Sequence, residues 1–105
     1  MITLVPSKKF LKDVAVFKKQ AVLRKKIVKT LALLKSDPRH PSLHLERIVN
    51  DETARSIRVD KYYRISIEPI QQNTTLASKP LKTSWEYGIF LLRILGHDDL
   101  YKSPH

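Results

Sequence analysis

Ala54-Arg55-Ser56-Ile57-Arg58-Val59, Asp60-Lys61, Tyr62-Tyr63-Arg64-Ile65-Ser66-Ile67: residues 54 to 67 repeat every two positions. Ile57 and Val59 alternate with Ser56 and Arg58, and Tyr63, Ile65 and Ile67 alternate with Tyr62, Arg64 and Ser66. That period belongs to strands with one face on a core, and Asp60-Lys61 supplies the turn between them. Residues 54–67 are therefore expected to form a β-hairpin with Arg64 on the face opposite Ile65 and Ile67. Upstream, Leu43 to Val49 is a further candidate strand, followed by an Asn50-Asp51-Glu52 turn. Downstream, Tyr87 to Leu95 is nearly continuous apolar, as expected of a central strand covered on both faces. Gly96 breaks it, and His97 to Tyr101 reads as a short terminal turn or strand. Pro69 to Ser84 is polar and contains Pro80, so it reads as a long loop, a length that is usually functional or mobile in so small a domain.

The first third has a different period. Ile2 to Val5 is a short β-prone run ended by Pro6, and Ser7 can cap a helix. Phe10, Leu11, Val14 and Phe17 recur at helical spacing, with Asp13 near the favourable N-terminal side. A second helix is expected at Ala21 to Leu34, its stripe made by Leu23, Ile27, Leu31 and Leu34 and widened by Val22, Val28 and Leu33. Ser36-Asp37-Pro38 ends it, because proline disfavours helix in the residue before it. The expected fold is α+β, one domain over residues 1–105. Its order is β-α-α-β-β-β-β, an N-terminal helical hairpin packed on a small, twisted, mainly antiparallel sheet.

Apolar residues make up 42% of the 105, enough for a modest core that gains from a partner. The chain has no cysteine, which removes disulfides and thiolate metal sites and fits a reducing cytoplasm. No run of apolar residues reaches the roughly 18 needed for a membrane span, and the N-terminus lacks signal-peptide character. The formal net charge is +10 and its distribution is uneven. Residues 1–36 hold ten Lys and Arg against Asp13 alone, whereas residues 37–105 are nearly balanced. A one-sided cationic surface attracts nucleic acid, an acidic protein or a membrane face.

Three segments then carry a resemblance. Leu33-Leu34-Lys35-Ser36-Asp37-Pro38 with Leu43-His44-Leu45, the hairpin Arg58 to Ile67, and Arg93-Ile94-Leu95-Gly96-His97-Asp98-Asp99-Leu100-Tyr101 together resemble the RelE/ParE toxin superfamily, most closely its YafQ-like branch. In that branch an Arg, a His four residues on and an aromatic four further form the active site, a spacing that Arg93, His97 and Tyr101 match. The resemblance implies a ribosome-associated mRNA endoribonuclease, cytoplasmic, without metal or cofactor, held silent by a cognate acidic antitoxin. It further implies basic helices that meet ribosomal RNA. His44 stands where the branch carries another catalytic histidine, with His40 competing for that alignment. The branch has a histidine where Arg58 stands and an acidic-aromatic pair where Tyr62-Tyr63 stands, so the division of acid and base between His97 and His44 stays open.

Metal-free RNA cleavage uses the 2′-hydroxyl as nucleophile and needs a proton acceptor, a proton donor and cations on the phosphoryl oxygens. Histidine suits the proton work and arginine's planar fork suits the phosphate. The candidate catalytic residues are therefore His97, Arg64, Arg93, Tyr101 and His44, expected to converge on one open hollow. Arg58, Tyr62, Lys25, Lys26 and Lys29 are the candidate RNA-binding residues. Each has a plainer reading: His97 as a surface partner of Asp98, Arg64 as a solvated strand arginine, Arg93 in an ion pair with Glu46 or Glu86, Tyr101 as a tail anchor. Two alternative functions share these features: a ParE-like inhibitor of DNA gyrase, and a non-catalytic nucleic-acid or ribosome-binding module. A degenerate toxin serving only as antitoxin ligand is a third.

Overall fold

The structure, a computed structural model, describes residues 2–48, 51, 53–69 and 88–105. Its elements are β1 (Leu4–Pro6), α1 (Lys8–Val16), α2 (Ala21–Ser36), a 3-10 turn (Pro41–Leu43), β2 (Glu46–Arg47), β3 (Arg55–Arg58), β4 (Tyr63–Pro69), β5 (Ile89–Gly96) and α3 (His97–Lys102). The five strands form one sheet in the order β1-β5-β4-β3-β2. Only the β1–β5 pair is parallel. The α+β class and the helical hairpin over a mainly antiparallel sheet are as expected, with two changes: the strand expected from Leu43 is confined to Glu46–Arg47 among the described residues, Leu43 itself ending the 3-10 turn, and the end of the chain differs. Residues 97–102 form a helix rather than a turn or strand, with Asp98 and Asp99 in its first turn and Lys102 in its last, each at the end its charge favours. The expected loop at 69–84 lies, beyond Pro69, outside the described residues, as do residue 49 at the end of the expected strand, the turn residues 50 and 52, and the proposed partner at 86.

Ser7 caps α1 as expected, its hydroxyl accepting the Phe10 N–H. Phe10 and Phe17 are buried while Leu11 is 55% exposed, so the core face of α1 runs through 10, 14 and 17. On α2 the buried positions are Leu23, Ile27, Thr30 and Leu34. Val22 and Val28, expected to widen that stripe, are instead 70% and 68% exposed. They lie on the helix face away from Leu23, Ile27 and Leu34, and no described element covers them. Ile57, Ile65, Ile67, Ile89, Leu91 and Ile94 supply the sheet's side of the core. An edge-to-face aromatic pair, Phe17 with Tyr63 at 4.9 Å, ties the end of α1 to the start of β4.

The opposite face of the sheet is polar but not solvated. One register row runs Glu46, Ser56, Ser66, Arg93 across β2, β3, β4 and β5, and the next runs Arg58, Arg64, Leu95. Ser56, Arg64 and Ser66 are all buried there. The cover comes from α3, through Leu100 and Tyr101, and from the residues after it. Ser66 Oγ donates to the Pro104 carbonyl at 2.6 Å and Lys9 Nζ to the His105 carbonyl at 2.8 Å.

Candidate active site

Alternation along β4 turns Arg64 away from Ile65 and Ile67, and α3 closes over it, so its guanidinium is buried rather than solvated. A buried cation requires acceptors. Arg64 Nε donates to Ser56 Oγ at 3.0 Å, and Nη2 to the His44 carbonyl at 2.6 Å and the Ser56 carbonyl at 3.4 Å. These acceptors are neutral. The nearest carboxylate, Glu46, stands at 3.8 Å and is half exposed.

Tyr101 reaches the same place from α3. Its hydroxyl donates to Glu46 Oε2 at 2.5 Å and lies 3.0 Å from Ser56 Oγ. His97 stacks on the Tyr101 ring, centroids 4.4 Å apart and planes 28° from parallel. It is half exposed, and its Nδ1 lies 3.4 Å from Asp98 Oδ1. Two side chains are thus tuned together. The hydrogen bond from Tyr101 holds the Glu46 carboxyl below its ordinary range against the cost of burial, helped by Arg64, His97 and His44. Burial pushes the Tyr101 phenol up, and Glu46 as acceptor adds to this, so it stays protonated.

His44 is held in a left-handed conformation, φ 47° and ψ 52°, at the end of the 3-10 turn, with its side chain exposed. That backbone turns its carbonyl toward Arg64. His40, its competitor, accepts the Ser42 N–H through Nδ1 and is engaged in capping the turn.

A groove of about 720 Å³ lies between α2 and the β3–β4 turn. Lys26, Lys29, Arg58, Lys61 and Tyr62 line it, and His44 lies where it meets the Arg64 cluster. Lys25 lies on another flank, with Ala21, Val28 and Ala32. At the far side Tyr62 packs over Gly96: a Cβ there would meet the Tyr62 ring at 2.6 Å. The Tyr62 carbonyl also accepts the His97 N–H at 2.9 Å.

The structure therefore brings Arg64, His97 and Tyr101 together, with His44 at the rim, and places Lys26, Lys29, Arg58 and Tyr62 in the adjoining groove. Arg93 is the correction. Its Nε and Nη2 bond the two oxygens of Asp13 at 2.7 and 2.9 Å, and that bidentate partner pushes its pKa up. β1 pairs with β5 only as far as Leu91, so past that point the strand edge is open. Asp13, on α1, takes the place of the missing strand, accepting the Ile94 N–H at 3.2 Å as well as the guanidinium. The ion pair expected as Arg93's plainer role is present, with a partner that is neither Glu46 nor Glu86. Glu46 and Ser56 are the members of the cluster that the sequence reading passed over. The signal available was parity: Ser56 shares a face with Arg58 and, across the turn, with Arg64.

Among the described residues no group of three His, Asp or Glu could hold a metal ion. No described helix is long and apolar enough to cross a membrane. No protein-family profile matches the sequence, and no curated protein sequence matches it. Solved structures do match. The crystal structure of the E. coli DinJ-YafQ toxin-antitoxin complex superposes with a TM-score of 0.65 at 14% identity, covering 94% of this chain and 96% of that one. The crystal structure of YafQ from E. coli gives 0.65 at 14%, with 95% and 98% covered. A second DinJ-YafQ structure gives 0.65 at 16% over the same shares. Nearly end to end, in both directions, the chain has the fold of the YafQ toxin.

Proposed function

We propose that this protein is the toxin of a type II toxin–antitoxin pair and acts as a metal-independent endoribonuclease on mRNA, stopping translation at the ribosome. The observation that carries the reading is the clustering of Arg64, Tyr101 and His97 beside a basic groove, joined to its lining through the His44 and Tyr62 carbonyls. In this reading Arg64, hydrogen-bonded to neutral acceptors and with its ion-pair partner Glu46 no nearer than 3.8 Å, turns its positive charge on the phosphoryl oxygens of a bound strand. His97, half exposed and braced on Tyr101, is placed to transfer a proton to or from the reacting oxygens. Lys26, Lys29, Arg58 and Lys61 offer phosphate contacts along the groove, and Tyr62 an aromatic face.

An acidic antitoxin is the fitting protein partner. The described α1 and α2 carry Lys8, Lys9, Lys12, Arg24, Lys25, Lys26, Lys29 and Lys35 against Asp13 alone, and Asp13 is bound to Arg93. The same surface suits ribosomal RNA, so the two compete for one face.

Induced expression tests the reading. Wild type should arrest growth and leave cleaved transcripts with new 5′-hydroxyl ends. Arg64→Ala and His97→Ala should abolish both while the proteins remain folded by circular dichroism. Arrest that persists in both variants with a DNA-damage response would instead indicate gyrase inhibition, and no arrest by wild type a binding module.

A further inference from the structure

From the bonding around Tyr101 we infer that Glu46 is the proton acceptor of the reaction, with His97 left as the proton donor. The inference rests on the ribonuclease reading above. Its basis is the direction of a hydrogen-bond chain. Arg64 Nε–H can only donate, so Ser56 Oγ accepts from it. At the other end the Tyr101 hydroxyl donates to Glu46. The contact between Ser56 and Tyr101, 3.0 Å, must then have the Ser56 hydroxyl donating. Every proton in the series points the same way: Arg64 to Ser56, Ser56 to Tyr101, Tyr101 to Glu46. The chain ends on an ionised carboxylate whose Oε2 is fixed, and Oε1 has no hydrogen bond among the described residues.

The surroundings suit that role. The Glu46 side chain is 53% exposed, open to a substrate, while Arg64 beneath it is 8% exposed. The groups whose charge or hydrogen bond acts on Glu46 are Tyr101 and His97 on α3, Arg64 on β4 and His44 on the preceding turn. All favour the carboxylate, and they keep it ionised through the neutral range. The exposed His44 imidazole, by contrast, has no hydrogen bond among the described residues to fix it, because the contact made there is through its carbonyl.

The step balances. Glu46 takes the proton of the 2′-hydroxyl as O2′ bonds to phosphorus. The bond from phosphorus to O5′ breaks, and His97, as imidazolium, protonates the leaving oxygen. The products are a 2′,3′-cyclic phosphate and a 5′-hydroxyl, and proton exchange with water restores both residues.

Glu46→Gln is the discriminating variant, because its amide oxygen still accepts from Tyr101. A residue that only positions Tyr101 would survive that change. Single-turnover cleavage of a defined mRNA on ribosomes, followed against pH, gives the readout. Wild type should show an acid limb of unit slope below the ordinary glutamate range. Glu46→Gln should lose that limb and fall by about 10²–10⁴-fold, whereas Glu46→Asp should keep the limb at a reduced rate. An active Glu46→Gln with the acid limb unchanged, or a limb near neutrality that vanishes only in His44→Gly, would overturn the assignment and leave the ribonuclease reading standing. Wild type that cuts no RNA would overturn both, and that result is distinguishable because it precedes any variant.

Discussion

Arg64 and Arg93 occupy neighbouring strands of one sheet, in adjacent register rows, and end in opposite circumstances. Arg93 lies at an open strand edge and meets a carboxylate that takes both its guanidinium and a backbone N–H. Arg64 lies in the middle of the sheet under α3 and meets a hydroxyl and two carbonyls. The first is closed by a bidentate carboxylate, whereas the second has neutral acceptors at hydrogen-bond distance and its ion-pair partner, Glu46, farther off at 3.8 Å. What separates the two is how closely a carboxylate engages the guanidinium. Burial alone does not, since Arg64 is the more buried of the two.

On the proposed function, removing Arg64 should have the largest effect. Arg64→Ala is expected to lower RNA cleavage by about 10²–10³-fold, the range found when one electrostatic stabiliser of a transition state is deleted. Single-turnover assays check this, and a smaller loss than that of Arg93→Ala per folded molecule would reverse the comparison. Asp13→Ala should instead act on stability. It strands a half-buried guanidinium and the Ile94 N–H, costing about 2–4 kcal/mol in urea unfolding, with cleavage per folded molecule retained. Ser56→Ala sharpens the contrast at the Arg64 end. It removes the hydroxyl shared by Arg64 and Tyr101, and should cost about 1–2 kcal/mol of stability together with a fall in kcat.

The backbone at His44 gives a smaller, more diagnostic change. Glycine adopts positive φ freely, so His44→Gly should be more stable than His44→Ala by about 1 kcal/mol. Cleavage by the glycine variant then reports on the imidazole without added strain. The least effect is in pH. Asp51 is partly buried; burial raises its pKa, but the Ala54 N–H, His105 and the Thr53 N–H outweigh that and hold it below the ordinary value of 3.8. A depressed carboxylate contributes stability that is present above its unfolded pKa and lost as pH falls through the folded one. Melting temperature should therefore decline below the ordinary aspartate range, and less so in Asp51→Asn.

Much of this was legible because it depends on period. The alternation through 54–67 gave the hairpin and the face of Arg64, and Ser7 with Pro38 bounded the helical pair. What depends on distant partners was not. Nothing near Arg93 in sequence points to Asp13, eighty residues earlier, because that contact exists only once β1 stops short of β5. Leu11, Val22 and Val28 have the spacing of core residues but lie outside the face each helix buries. Glu46 and Ser56 look like ordinary strand residues until α3 brings Tyr101 above them, and residues 97–101, following Gly96, have the local character of a turn or strand.

The Tyr62 ring lies where a side chain at position 96 would be, and its carbonyl bonds the very next N–H. An added methyl at Gly96 would push the exposed Tyr62 ring off the aromatic wall of the groove. On the proposed function, a variant at this position should weaken RNA binding through Tyr62, although it touches no RNA itself.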